Sequence, residues 1–118
     1  MAAKDALGRR GEQIAARHLE SRGLSILDRN WRCPQGEIDL VARDGVEVVF
    51  VEVKTRAGLG YGHPLESITT VKLARLRRLA AAWCEAHPGR HERIRIDAIA
   101  VIAPAGGPVQ VEHLERVF

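Results

Sequence analysis

Two apolar periods alternate along this chain, and the places where one gives way to the other mark its elements. Leu7, Gly11, Ile14, Ala15, His18 and Leu19 fall on one side of a helix running from about Lys4 to Arg22, and Gly23 follows as its C-terminal cap. Leu24 to Arg32 reads as a strand, with Cys33-Pro34-Gln35-Gly36 as the turn after it. Glu37 to Arg43 and Glu47 to Lys54 form a hairpin around Asp44-Gly45, so three strands in succession predict an antiparallel meander. Arg56 to Pro64 is a glycine-rich loop. Helical signals resume from about Glu66 or Thr70 and run to Ala86, where Pro88-Gly89 ends them. Arg93 to Ile102 is an apolar strand of the kind buried on both faces, and Val109 to Val117 fits a last edge strand. The order helix, strand, strand, strand, helix, strand, plus a short edge strand, predicts an α/β layered domain around a mixed sheet with one crossover. The 118 residues suffice for one core but not two, so a single domain over 1–118 is expected, without repeat, low-complexity tract or linker.

Charge interrupts the strand pattern at Gly36-Glu37-Ile38-Asp39-Leu40 and at Val51-Glu52-Val53-Lys54. Unpaired charge inside an apolar strand is expensive and usually has a purpose. Side chains two apart share a face, so Glu37 goes with Asp39 and Glu52 with Lys54. A two-residue turn at Asp44-Gly45 sets Glu37 opposite Glu52 and Asp39 diagonal to it; a four-residue loop from Asp44 to Glu47 sets Asp39 across from Glu52. Both registers keep the four charges on one face, which an odd-length loop or a bulge would not. Three carboxylates and a lysine on one strand surface are a candidate divalent-metal site. The alternative is a solvated sheet face with weak cross-strand pairs. Val48 and Phe50 share the face of Glu52 and Lys54, which argues for partial burial.

These groups suit phosphodiester hydrolysis, which needs a nucleophilic hydroxide, neutralisation of phosphate charge and help for the departing oxygen. A divalent ion held by carboxylates serves the first two. Mg²⁺ takes oxygen ligands and keeps several waters, so one or two carboxylates and a backbone carbonyl are enough. Asp39 and Glu52 supply the carboxylates, and the Val53 carbonyl lies between Glu52 and Lys54 on the same strand. Lys54 stands beside the metal position, where it orients the water or stabilises the transition state.

Composition changes this picture little. The hydrophobic fraction of 46% and charged fraction of 28% are those of an ordinary soluble globular protein. Eighteen Lys and Arg against fifteen acids give a net charge of +3, which suits nucleic acid without choosing it. Cys33 and Cys84 are the only cysteines, too few for a secreted disulfide framework. Charge within the first five residues argues against a signal peptide, and no apolar run reaches membrane-span length. The expectation is a cytoplasmic protein with reduced thiols and no membrane partner.

Gly36-Glu37-Ile38-Asp39-Leu40 followed by Val51-Glu52-Val53-Lys54-Thr55-Arg56 closely resembles the bacterial YraN family of predicted nucleases. That family is similar to archaeal Holliday-junction resolvases and, more distantly, to the restriction-endonuclease-like superfamily, whose signature is an acid on one strand and acid-x-lysine on the next. The resemblance covers nearly the whole chain, including Gly11-Glu12, the loop Tyr61-Gly62-His63-Pro64 and the basic helix near Lys72. It implies a restriction-endonuclease-like three-layer domain, a central mixed sheet flanked by helices, with Mg²⁺ or Mn²⁺ as cofactor and DNA as substrate. By the resemblance, Asp39 and Glu52 are metal ligands, Lys54 is the catalytic lysine, and Glu12 is an acid that approaches the same metal. One departure is that Ile38, not proline, precedes Asp39.

Other residues carry two readings each. By pattern alone Glu12 is a solvated acid on the flank of the first helix. Glu37 either binds a second metal or simply pairs with Lys54. Lys72 falls on the stripe of Leu76, Leu79 and Trp83, so it either snorkels to water or contacts phosphate. Arg75 and Arg78 lie off that stripe and Arg77 on its other side, as exposed charges first and phosphate-backbone contacts second. The glycine spacing after Arg56 does not match a dinucleotide fingerprint; the loop reads as a cleft wall holding Arg56, Tyr61 and His63 near the substrate. Cys84, His87 and His91 lack the spacing and fourth ligand of a zinc site. His18 reads as a hydrogen-bonded core histidine and Asp97 as a satisfied structural carboxylate.

The leading expectation is a metal-dependent endonuclease acting on DNA, with branched or junction DNA as a candidate substrate. The alternatives are a non-catalytic nucleic-acid-binding module of the same fold and an interaction domain with no nucleic-acid role. No 2′-hydroxyl reader separates DNA from RNA. Symmetric cutting of a junction requires two sites, so a C2 homodimer is expected.

Overall fold

The computed structural model describes residues 3–60, 62–89, 91 and 93–118, with side chains from residue 6 onward. Tyr61, which the sequence places beside a substrate, lies outside the described residues. The elements are α1 (Ala3–Ser21), β1 (Ser25–Cys33), β2 (Gly36–Asp44), β3 (Glu47–Arg56), a single 3₁₀ turn at Pro64–Ser67, α2 (Thr70–Ala86), β4 (Arg93–Ile102) and β5 (Gln110–Leu114). They build one five-stranded sheet in the order β1-β2-β3-β4-β5. Every neighbouring pair is antiparallel except β3 and β4, which run parallel and are joined through α2. The architecture is α/β, a mixed sheet flanked by helices, consistent with the three-layer restriction-endonuclease-like fold.

Each face of the sheet has its own core. Ala15, Ala16 and Leu19 of α1 pack on Leu40, Ala42, Val49, Val51, Val53, Ile99 and Val101. Leu76, Leu79, Ala80 and Trp83 of α2 pack on Ile38, Val41, Val48, Phe50 and Ile96. Large side chains buried this fully stabilise by about 1.5–3 kcal/mol each. Small residues let α1 lie close to the sheet. At Gly11 a Cβ would stand 1.8 Å from Thr55 Oγ1, so only glycine permits this approach.

Local chemistry shifts the ends of three of the expected elements. The second helical signal divides because the Thr69 side chain accepts from Lys72 N at 3.2 Å and caps α2 at Thr70, leaving Pro64–Ser67 as a separate turn. β3 runs on to Arg56, whose carbonyl accepts from Ala103 N at 2.8 Å. β5 stops at Leu114, short of the expected Val117, where the chain turns back so that Val117 N donates to the Ile96 carbonyl.

The hairpin has the register of the longer loop. Asp44 pairs with Glu47 and Arg43 with Val48, leaving Gly45-Val46 as the two-residue connection rather than Asp44-Gly45. Gly45 has φ 60, the requirement of a type II′ turn at its first central position. Extended by one rung, this register sets Asp39 across from Glu52, but the β2–β3 ladder ends at Leu40 and Val51.

Face alternation fails twice along β1: at a bulge between Ile26 and Asp28, and again between Arg29–Leu40 and Trp31–Ile38, where β2 changes face as well. Leu40 belongs to the α1 core and Ile38 to the α2 core, although regular pleating would put both on one face. On β1, Arg29 and Asn30 both reach α1 side chains, and Trp31 packs against the α2 layer. Asn30 has φ 49, a left-handed residue within a strand, and it turns the chain over at this point. The rung where both strands change face is the one that carries Asp39.

Candidate metal centre

Asp39 stands where β2 parts from β3. Its Oδ2 accepts the Val53 N–H at 2.9 Å, satisfying a backbone donor beyond the last rung of the β2–β3 ladder. Glu12 arrives from α1 and its Oε1 accepts from Asn30 Nδ2 at 2.9 Å. Glu37 arrives from the start of β2 and its Oε2 accepts from Arg32 Nε. Glu12, Glu37 and Asp39 thereby present carboxylate oxygens that all lie within 4.8 Å of one another. A cleft of about 220 Å³ opens beside them, lined by Glu37, Asp39 and Glu52 on the sheet side and by Lys72, Arg75, Leu76 and Leu79 of α2.

The charges in this cleft do not cancel. Burial, and after it the Glu52 carboxylate, push the Asp39 carboxyl up to about 8, with Glu12 and Glu37 adding to the rise and only the Val53 N–H opposing it. Burial also raises Glu52, while Lys54, Lys72 and Arg75 pull it back. The donor set is therefore all oxygen and partly buried, with the other acids crowding Asp39. Hard divalent cations such as Mg²⁺ or Mn²⁺ suit that chemistry, and soft metals do not.

The structure brings most of the expected acids together, with one change of emphasis. Glu37, the additional acid of the sequence reading, belongs to the tight trio with Asp39 and Glu12. Glu52 faces the same cleft and acts on Asp39 through its charge. Neither expected role of Glu37 included Arg32, its actual partner, because that contact crosses from β1. Lys54 is half-buried next to Glu52 on β3. Lys72 lines the cleft and donates its amine to the Ser67 carbonyl at 2.8 Å, so it is anchored rather than simply snorkelling to water. Arg75 is an exposed part of the cleft wall.

Of the expected site residues, Lys54, Glu12, Arg56 and His63 do not line this cleft. Arg56 Nη1 donates to the Thr55 carbonyl at 3.4 Å, and its buried Nε has no partner among the described residues. His63 Nδ1 accepts from Leu65 N at 3.1 Å, capping the 3₁₀ turn, and its Nε2 pairs with Glu112 of β5. Sequence reasoning missed Asn30, Gln13 and Arg29, which with Arg9 and Glu12 line a second cleft of about 240 Å³. The available signal was an asparagine in mid-strand, a residue type depleted there.

A second cluster, Asp97 with His113 and Glu115, has the elements of a metal site but a different chemistry. Asp97 is fully buried and accepts from Arg95 Nε and Nη2 at 3.0 Å each, His113 Nε2 at 2.7 Å and Arg116 N at 3.0 Å. Burial alone would raise its carboxyl; the donors from His113, Arg95 and Arg116 outweigh it and hold the group below its ordinary range. Four donors occupy both oxygens, which makes Asp97 a structural carboxylate. His18 Nε2 bonds His113 Nδ1 at 3.1 Å, the hydrogen bond expected of it, though the residue is half-buried rather than in the core. His87 and His91 bond the carbonyls of Trp83 and His87 at the end of α2.

The layered sheet, with acids from a helix and two strands meeting above a basic second helix, defines an α/β protein of restriction-endonuclease-like architecture with an acidic centre. The chain belongs to the uncharacterised protein family UPF0102, whose model matches residues 11–101 and so spans Glu12, Glu37, Asp39, Glu52 and Lys54. The UPF0102 protein of Beutenbergia cavernae is 56% identical over 117 residues, covering 99% of each chain. That of Clavibacter michiganensis is 59% identical over 106 residues, 90% of each chain. A UPF0102 protein of Frankia alni is 54% identical over 118 residues, the whole of this chain and 98% of its own. None of the helices among the described residues is long and apolar enough to cross a membrane.

Proposed function

We propose that this protein is a metal-dependent endonuclease that hydrolyses phosphodiester bonds in DNA, with branched or junction DNA as its preferred substrate. The observation that carries the reading is the convergence of Glu12, Glu37 and Asp39 within 4.8 Å, with Glu52 in the same cleft and Lys72 and Arg75 as its opposite wall. Asp39, Glu52, Glu12 and the Val53 carbonyl would hold Mg²⁺ or Mn²⁺, with Glu37 as an additional acid. Such a cation, when bound, acidifies water and polarises the phosphoryl group.

The rest of the chemistry belongs to the chain. Asp39 takes a cation in competition with a proton, because its carboxyl titrates near 8. The Val53 N–H fixes one oxygen of Asp39, which lines the cleft. Lys54, beside Glu52, places its ammonium where negative charge develops on the phosphate. Lys72 and Arg75 contact flanking phosphates and position the strand without reading its sequence. One chain carries one such centre, so paired cuts across a junction call for two copies related by a two-fold axis.

Cleavage of labelled four-way-junction, flap, single-stranded and linear duplex DNA with Mg²⁺ or Mn²⁺ tests the proposal. Wild type is expected to cut, and Asp39→Asn and Lys54→Ala to lose at least about a hundredfold in rate while remaining folded. Undiminished cutting by Asp39→Asn removes the assignment. Binding without cutting by wild type under both metals replaces it with a non-catalytic nucleic-acid-binding module.

A further inference from the structure

We infer that Asn30 is a positioning residue of the acidic centre, whose amide holds Glu12 in place as a carboxylate ligand; this rests on the metal-site reading above. Asn30 and Arg116 are the non-glycine residues with positive φ among the described residues, and Asn30 alone of the two lies within a strand. A left-handed residue inside a strand is uncommon, and asparagine is one of the few types that adopt it at small cost. Such departures concentrate where function requires them.

The departure has a local consequence. Regular pleating would send Asn30 to the α2 face, between Arg29 and Trp31. With φ 49 it instead follows Arg29 to the α1 side, where Nδ2 donates to Glu12 Oε1 at 2.9 Å. Arg29 Nη1 donates to Gln13 Oε1 at 2.6 Å, so two successive strand residues clamp two successive helix residues. A glutamate on the flank of a helix otherwise has several rotamers to lose on binding. Asn30 thus engages one oxygen of the carboxylate that takes part in the trio with Glu37 and Asp39.

The donor's chemistry matters as much as its place. Glu37 is held by a guanidinium, which also offsets its charge. Glu12 is held by a neutral amide, which orients the carboxylate and leaves its charge for a cation. This is the division of labour seen in outer-shell contacts of metal sites generally. A purely structural account, in which the left-handed turn serves only to put Trp31 on the α2 core, needs the backbone of Asn30 but not its amide.

Asn30→Gly separates the two, because glycine keeps the backbone conformation and removes the amide. Mn²⁺ affinity measured by titration calorimetry on the full chain is expected to fall about tenfold in Asn30→Gly, with thermal unfolding close to wild type. In a Glu12→Gln background the same change should have almost no further effect. Unaltered Mn²⁺ affinity in Asn30→Gly, with binding lost in Asp39→Asn, overturns the role of Asn30 and leaves the metal site standing. Unaltered binding in both Asp39→Asn and Glu12→Gln removes the metal reading itself. Should glycine unsettle β1, the side-chain amide resonances of Asn30 in the wild-type chain give a second measurement. They are expected to shift on adding Mg²⁺ and on Glu12→Gln, and their indifference to both overturns the proposal.

Discussion

At Asp39 the folded chain retains a proton to about pH 8 that the unfolded chain releases near 3.8, because burial and Glu52 disfavour the charged form. A raised carboxyl favours the folded state fully below the unfolded value, and this contribution is lost as pH rises through the folded one. The metal-free protein should therefore lose melting temperature between about pH 5 and about pH 9, by thermal unfolding in chelator. Asp39→Asn keeps an oxygen for the Val53 N–H and should flatten that slope. Mn²⁺ added at about pH 8 should raise the melting temperature of wild type and not of the variant. Asp97 works in the opposite direction: its lowered carboxyl stabilises the fold at neutral pH and ceases to on acidification. Asp39, Glu52 and Lys54 were legible in the sequence because charge inside an apolar strand stands out against its neighbours. The Arg32–Glu37 pair and the Asn30–Glu12 bond were not, since each joins β1 to a segment whose register the sequence left open.

Between elements, the contact that sets the site is the approach of α1 to β3. Glu12 reaches the acidic trio because Gly11, its neighbour, lets the helix rest against Thr55. Gly11→Ala sets two effects against each other. Alanine improves helix propensity by about 1 kcal/mol. A Cβ that would fall 1.8 Å from Thr55 Oγ1 forces the helix outward, and overpacking of this kind costs about 1–3 kcal/mol. At so short a separation the steric term prevails. Urea unfolding should show a net loss of stability, and Mn²⁺ affinity should weaken with it as Glu12 moves away. Equal or greater stability in Gly11→Ala would show that α1 has room to spare. The helices and strands themselves were legible from periodicity. Their ends were less so, because Thr69, Pro64 and the return of the chain at Val117 act through single local bonds.

Over the whole molecule the extents are 43 × 30 × 27 Å, a length equal to that of about 12 base pairs of duplex at about 3.4 Å each. It carries one acidic centre, and a four-way junction cut symmetrically presents two equivalent strands. Light scattering of the protein bound to junction DNA, under Ca²⁺ to suppress cutting, is expected to show two chains of 13.0 kDa per junction. One chain per junction would restrict the activity to single nicks.

What the amino-acid order determined by itself is everything that depends on near neighbours along the chain. Helical and strand periods follow from the spacing of apolar residues. The mixed sheet follows from three strands joined by tight turns and a fourth reached through a helix. The acid and acid-x-lysine pattern follows from charge placed at alternate positions of a strand. The tertiary structure decided what depends on register and on close approach. It chose the hairpin alignment that faces Asp39 toward Glu52, and it turned both strands over at the Asn30–Asp39 rung. It also drew Glu12 in from a helix far away in sequence and engaged His63 with Glu112 outside the cleft. Two of these outcomes, the turned strands and the approach of Glu12, rest on single residues, a φ of 49 at Asn30 and a missing Cβ at Gly11. Such effects act only once the layers have packed, because the partner that makes each of them matter belongs to another element.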